Sequence, residues 1–394
     1  MPDLSVELAG VKLKNPLMVA AGTPTINSKA MIKCMEWGAA AVVSKTITYA
    51  ELHRLQPRPR FYVLHPESMD SGFYSLYSVE LMSELSPDEA VEDLSIAVKY
   101  ARRYDAIVVA SIAGRSMDEW VKLSSMVEDV GVSMIELNLS CPHVEAEEGS
   151  LMGKTAGSDP YIVGKIVSTV KSTVGIPIAV KLTPHGADPL AVALSADKAG
   201  ADIVVATARF QGLVIDIDSM RPVAWGGLGG YGGPWMSPIS CSWVYRIVKS
   251  SVRACVVGSG GIAGYEDVLR FLMLGCRSVQ ICTAIIIHGF QFITRMLGDL
   301  DKWLKDRGFS SVNDIIGVAL PNIVNFEDLD RVSVYKSSID RDKCISCMRC
   351  LRSCFYEAIK IMDGGPTVYE KLCMGCGLCA SICPSKAITL RRIS

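Results

Sequence analysis

Eight of the 14 cysteines in this chain fall after residue 343, in two sets of identical spacing. Residues 344–354 read CISCMRCLRSC and residues 373–384 read CMGCGLCASICP; each set is C-x2-C-x2-C-x3-C, and the two are offset by 29 residues. In a reducing compartment such density points to metal rather than to disulfides. The spacing lets three close thiolates hold one face of an iron–sulfur cubane while the fourth reaches across to a second cluster. Cys344, Cys347, Cys350 and Cys383 are therefore expected to hold one [4Fe-4S] cluster, and Cys373, Cys376, Cys379 and Cys354 the other. Zinc is the competing ligand, but zinc knuckles rarely repeat a four-cysteine set of this kind. One asymmetry is visible: Pro384 follows the last cysteine of the second set, and Phe355 that of the first. Residues 338–394 are thus a small α+β domain of two-cluster ferredoxin type. They carry nine Lys/Arg and five Asp/Glu, about +4 from side chains, which suits an acidic redox partner or simply a solvated surface.

Upstream, short apolar runs alternate with stretches of helical periodicity. The strand candidates are LMVAAG (17–22), AAVVSK (40–45), AIVVAS (106–111), MIELNL (134–139), PIAVKL (177–182), DIVVAT (202–207), ACVVGS (254–259) and SVQICT (278–283). Helical patterns over 27–37, 87–103, 117–129, 160–174 and 263–274 separate them. Strands apolar on both faces, each followed by a helix, predict a covered parallel sheet. Eight such units predict a (β/α)8 TIM barrel over residues 1–305, with a doubly wound open sheet as the alternative. VELAGVKLKNP before the first strand reads as a hairpin closing the barrel floor. Residues 306–337 read as a connector, and 338–394 as the cluster domain.

Apolar residues make up 49% and the formal net charge is −1, which suits a large core and offers no electrostatic reason to bind nucleic acid or a membrane surface. MPDLSVELAG lacks the basic and apolar regions of a secretory signal. The longest apolar run, VQICTAIIIHGF, is shorter than the ~20 residues a spanning helix needs. A cytoplasmic location is the expectation.

A one-electron relay needs a source of electrons, and a flavin is the usual converter between hydride and single-electron chemistry. VVGSGGIAGYEDV places Gly258, Gly260 and Gly261 after strand seven and ahead of a helix. ICTAI supplies a second turn, with Cys282, after strand eight. Those two loops are the usual phosphate site of a TIM barrel, where backbone N–H groups face the anion. No G-x-G-x-x-G follows the first strand, so a nicotinamide site is not expected. Lys45 and Lys181 end apolar strands, where an ammonium group needs an electron-rich ring or a structural ion pair. Asn138 suits a hydrogen bond to a planar ring or a plain loop turn. Cys141, in NLSCPH, stands outside both metal sets and before a loop, Val144–Ser158, that reads as a flexible lid. Cys34, Cys241, Cys255 and Cys276 read as small buried hydrophobes. His53, His65, His185 and His288 have no metal spacing.

KNPLMVAAGTPT, SKTIT, ELNLSCPH, AVKLTP, GGYGGPWMSPI, GSGGI and VQICTA occur in this order over residues 1–300 and resemble the dihydroorotate and dihydropyrimidine dehydrogenase family of FMN barrels. With its cluster tail the chain is most similar to the iron–sulfur subunits of the dihydropyrimidine dehydrogenase branch. The resemblance implies FMN at the barrel's C-terminal mouth, contacted by Ala20, Ala21, Gly22, Lys45, Asn138, Lys181, Thr207, Gly227, Gly258, Gly260, Gly261, Cys282 and Thr283. It implies hydride transfer between flavin N5 and a dihydropyrimidine C–C bond, with Cys141 moving the proton beside Ser140 and His143. It further implies electron exchange with an NAD(P)H-linked flavoprotein subunit or a ferredoxin, in a homodimer or hetero-oligomer. Alternatives are a dihydroorotate dehydrogenase whose clusters are the electron exit, and a non-catalytic electron-transfer subunit.

Three departures stand out. The family's ATNT is ATAR here, so Ala208 and Arg209 replace the asparagine and threonine that read the pyrimidine. Ser78 stands where an asparagine is expected before ELMS, and ASIAGRSMDEW lacks another. Ser78, Asn138 and Arg209 remain the candidates for substrate contact, and Arg209 is placed to hold a carboxylate or to lie at the surface.

Overall fold

The computed structural model describes residues 1–141, 151–224, 226–362 and 364–394. They form two compact units, Met1–Pro321 and Asn322–Ser394. In the first, eight parallel strands close into a barrel: β1 (Leu17–Val19), β2 (Ala41–Val43), β3 (Ile107–Ile112), β4 (Met134–Asn138), β5 (Ile178–Lys181), β6 (Ile203–Ala206), β7 (Cys255–Ser259) and β8 (Ser278–Ile281). Each pairs with its successor and β8 closes on β1, Val279 opposite Leu17. The open-sheet alternative is excluded by that closure.

A helix follows every strand: α1 (Ser28–Glu36), α2 (Pro87–Ala101), α3 (Met117–Asp129), α4 (Pro160–Lys171), α5 (Pro189–Lys198), α6 (Ser237–Val248), α7 (Tyr265–Met273) and α8 (Gln291–Asp306). Their starts are written locally. Ser86 and Glu89 make a capping box with Pro87 in the first turn. Asp159 and Asp188 cap α4 and α5, each ahead of a proline. These side chains satisfy amides that the helix itself leaves unpaired. The strands are buried on both faces, so the core is continuous from the barrel interior to the helices. The predicted hairpin is present as Val6–Leu8 paired with Val11–Leu13, with Leu8 and Leu13 buried in the same core.

Three features differ from the sequence reading. The stretch 306–337 is not a single connector. Val312 and Ile315 are fully buried in the barrel's core, so residues to Pro321 belong to the first unit and those from Asn322 to the second. A four-stranded antiparallel sheet, in the order Phe210–Gly212, Gly229–Gly232, Ser75–Ser78 and Phe61–Leu64, is built from the β2–α2 and β6–α6 connections. Strands this short and glycine-rich show no alternation to read. Both connections leave from C-terminal strand ends, so this sheet covers the barrel's functional face. Finally, the second half of the expected lid is the helical turn Gly153–Gly157, with Met152 and Ala156 buried. Residues 144–150 of that segment lie outside the described residues.

The second unit repeats one pattern twice. Each cysteine set leads into a one-turn helix, Arg349–Arg352 or Leu378–Ser381, and then a strand, Ile359–Met362 or Ile388–Arg392. The first strand pairs with Gly365–Val368 and the second with Tyr335–Ile339. Its small core is Cys350, Ile359, Cys379 and Ile388.

Candidate active site and cluster sites

Seven of the eight barrel strands, or the residues just after them, line a cavity of about 1120 Å³ including its open mouth. Thirteen of the sequence-predicted residues meet there: Ala20, Ala21, Lys45, Asn138, Ser140, Cys141, Lys181, Thr207, Arg209, Gly260, Gly261, Cys282 and Thr283. Four do not line it. Gly22 lies behind Cys282, whose Sγ would stand 2.6 Å from an added Cβ. Gly258 makes room for Phe271 of α7, 2.4 Å from where its Cβ would be, so it serves helix packing. Gly227 offers its carbonyl to the Tyr77 hydroxyl, and Gly233, six residues on, takes the lining position. Ser78 is fully buried and is reached by Arg209. His143 lies outside the described residues.

Two buried ion pairs organise the cavity, and neither carboxylate was foreseen. Lys45 bonds Glu80 at 2.8 Å, and Thr23 donates to the same oxygen at 2.8 Å. Burial alone would raise the Glu80 pKa, but Lys45, Arg209 and these hydrogen bonds outweigh it and hold it at about 2. Lys181 donates to Gln280 at 2.7 Å and lies 3.6 Å from Glu136. Gln280 in turn donates to Glu136 at 2.5 Å, while the other Glu136 oxygen, fully buried, has no hydrogen-bond partner. Lys181 is thus tethered on one side with donors left for the cavity. The signals for this layer were Glu136 in MIELNL and Gln280 in SVQICT, polar residues at inward positions of apolar strands.

Cys141 is buried at the cavity wall. The turn before it is fixed by Asn138, whose Oδ1 accepts from Ser140 N (3.2 Å) and Oγ (3.0 Å) and whose Nδ2 donates to Thr46 (2.8 Å). Its carbonyl accepts from the Lys154 amide at 3.1 Å. Burial and the nearby Glu80 push the Cys282 thiol to about 12, leaving it an inert wall.

The residues present fit a flavin mononucleotide. Gly260 and Gly261 both take left-handed conformations (φ 100° and 85°), and an added Cβ on Gly261 would stand 2.1 Å from the Ser237 amide nitrogen, so only glycine turns the chain there. The turn lines the cavity beside Cys282 and Thr283 at the end of β8, the kind of backbone that can meet an anion with its amides. The hydroxyl of Thr207 is buried with no hydrogen-bond partner, and Lys181 faces the same space. A glycine turn, an unpartnered hydroxyl and an ammonium group thus share one cavity.

The eight cysteines line two pockets. Cys344, Cys347, Cys350 and Cys383 line one pocket of about 300 Å³; Cys354, Cys373, Cys376 and Cys379 line another of about 350 Å³. Donors already face the sulfurs: Ser337 N to Cys373 Sγ at 3.5 Å and Ala387 N to Cys383 Sγ at 3.3 Å. Burial opposes ionisation of Cys373, but the Ser337 and Gly375 amides, the Ser337 hydroxyl and Lys336 prevail and lower its pKa. Thiolates under amide donors are what a cubane requires. No helix among the described residues is long and apolar enough to cross a membrane.

Comparison with known proteins agrees with both halves. A family model described as dihydroorotate dehydrogenase matches residues 3–304, and one described as a 4Fe-4S dicluster domain matches residues 337–390. The NAD-dependent dihydropyrimidine dehydrogenase subunit PreA of Escherichia coli (strain K12) is 32% identical, over 99% of this chain and 96% of that protein. The catalytic subunit of dihydroorotate dehydrogenase B (NAD(+)) of Thermoplasma acidophilum is 32% identical, over 81% of this chain and 100% of its own length. That of Pyrococcus abyssi is 32% identical over 80% and 99%.

Proposed function

The chain belongs to the dihydroorotate dehydrogenase family, and on that premise we propose that Cys141 is the proton-transfer group of an FMN- and iron–sulfur-dependent oxidoreductase acting on a CH–CH or C=C bond of a dihydropyrimidine-like substrate. The observation that carries this is the meeting of Cys141, Lys181 and the Gly260–Gly261 turn in one cavity. FMN, when bound, exchanges a hydride with one substrate carbon and single electrons with the clusters. Oxidation of a CH–CH bond releases that hydride and one proton, and Cys141, as thiolate, accepts the proton from the adjacent carbon. Reduction of a C=C bond runs the same transfer backwards, with the thiol donating. Ser140, fixed by Asn138, holds the backbone next to Cys141 in place. Lys181, tethered by Gln280 and Glu136, presents its charge where negative charge develops. Backbone amides of Gly260, Gly261 and Thr283 would hold the FMN phosphate. The eight cysteines would hold two [4Fe-4S] clusters, in the crossed sets given above.

Nicotinamide chemistry belongs in this reading to a separate partner, an NAD(P)H-linked flavoprotein subunit or a ferredoxin. The relatives are named as subunits of NAD-linked enzymes, and no dinucleotide fingerprint follows the first strand here. A hetero-oligomer in the cytoplasm completes the proposal. Anaerobically reconstituted protein is assayed with uracil, thymine and dihydroorotate. Cys141→Ala is expected to lower turnover by about 10²–10⁴-fold with FMN and iron content unchanged. Turnover indifferent to Cys141, or none at all, would favour a subunit whose barrel only carries electrons.

A further inference from the structure

The 29-residue offset of the cysteine repeat carries Ser337 onto Pro366. Ser337 lies in the strand Tyr335–Ile339, buried, and lines the pocket of Cys373 and Cys379. Pro366 lies in the strand Gly365–Val368, also buried, and lines the pocket of Cys344 and Cys350. The two places match, but their chemistry is opposite. Ser337 turns two polar groups to sulfur. Its amide donates to Cys373 Sγ at 3.5 Å and its hydroxyl shares a hydrogen bond with Cys379 Sγ at 3.1 Å; the Cys373 sulfur is 3.8 Å from the same oxygen. A sulfur that holds a metal has given up its proton, so towards it the hydroxyl is the donor. Pro366 has neither an N–H nor a hydroxyl to offer.

Packing alone does not call for a serine here. Proline fills the matching place in the other half, and a buried hydroxyl without a partner is costly. Among the described residues the Ser337 hydroxyl makes no hydrogen bond other than those to the two sulfurs. The other pocket has polar groups of its own on Cys383, the Ala387 amide at 3.3 Å and the Ser385 hydroxyl at 3.7 Å. They face a different sulfur, and so do not replace what Pro366 lacks towards Cys344 and Cys350.

We propose that Ser337 tunes one of the two clusters: its hydroxyl raises the reduction potential of the cluster held by Cys373 and Cys379 and leaves that of the other unchanged. A donor to sulfur gains strength as an added electron makes the sulfur more negative, so it favours the reduced form. One electron is taken up; the hydroxyl proton stays on its oxygen, and no bond forms or breaks. This rests on the two-cluster reading above. It does not depend on where each fourth ligand comes from, because Cys373 and Cys379 belong to one local set.

Full-length, anaerobically reconstituted protein is reduced stepwise with dithionite in the presence of mediators, and the two cluster midpoints are read by electron paramagnetic resonance. In Ser337→Ala, which keeps the amide, one midpoint is expected to fall by about tenfold in the reduction equilibrium, roughly 59 mV for one electron. The other midpoint, the iron content and the melting temperature hold. Ser337→Thr, which keeps the hydroxyl, restores the wild-type value. The reciprocal Pro366→Ser is expected to raise the midpoint that Ser337→Ala leaves alone. Two midpoints that stay put in Ser337→Ala, two that move together, or a Ser337→Thr that behaves like Ser337→Ala overturns the proposal. Loss of iron from Ser337→Ala also overturns it and makes the serine a packing residue. Wild-type protein that lacks two cubane signals would overturn the cluster reading itself, whereas unmoved midpoints in protein that shows both overturn this inference alone.

Discussion

The mouth of the barrel and the cluster domain both hold reactive groups in small volumes, by opposite routes. In the barrel the partners are remote in sequence: Lys45 and Glu80 are 35 residues apart, Lys181 and Gln280 99, Gln280 and Glu136 144. The scaffold that brings them together has a large apolar core of its own. In the cluster domain the ligands recur within eleven residues, and two of them, Cys350 and Cys379, are half of the core. One unit is a finished fold that receives a cofactor. The other uses its cofactor ligands as packing, so binding and folding are linked.

Removing iron should break this comparison most visibly. Anaerobic oxidation and chelation are expected to abolish amide protection across 335–392 while the barrel strands keep theirs, as read by hydrogen exchange. A tail that stays protected would put the two units in one class. Within the barrel the next effect in size is Glu80→Ala, which leaves Lys45 as an uncompensated buried charge. It is expected to cost about 3–5 kcal/mol in denaturant unfolding of the first unit. The same pair sets an acid limit. Because the folded pKa of Glu80 lies below its ordinary 4.5, at about 2, its contribution is complete above 4.5 and is lost as pH falls from there towards 2. Barrel stability against urea should drop in that window and lose the drop in Glu80→Gln. A smaller and sharper test is Glu136→Gln, which removes one negative charge beside Lys181 and should move the midpoint potential of bound FMN upward by spectroelectrochemistry. In Lys181→Met the same substitution should give a smaller shift. Least of all, Phe355→Ala changes an 89%-exposed side chain. It should alter the thermal transition of the cluster domain by no more than about 0.5 kcal/mol, despite the proline at the matching place in the second set.

How much could be read beforehand follows the same divide. The grouping of the eight cysteines into two pockets was legible because coordination imposes a fixed local spacing. The barrel was legible because a strand buried on both faces is a run of apolar residues, and the glycine turn because Gly260 and Gly261 directly follow such a run. The covering sheet was not, since three- and four-residue strands around six glycines between 226 and 233 carry no period. That crowding also explains why Gly227 was named where Gly233 lines the wall. Glu80 sits just after the strand Ser75–Ser78 in an irregular segment, and nothing local marks it as the partner of a lysine 35 residues away. Pairing of this kind is decided by closure of the barrel, a global event.

The fourth thiolate of each cluster pocket comes from the other half of the repeat. Neither 29-residue half can therefore be filled alone. Delivery of one cubane positions a ligand for its neighbour, and loss of one unseats a ligand of the other. A cell short of iron would then hold two populations, fully charged molecules and empty ones, with few half-charged between them. Native mass spectrometry of partially reconstituted protein would show that gap as a missing peak.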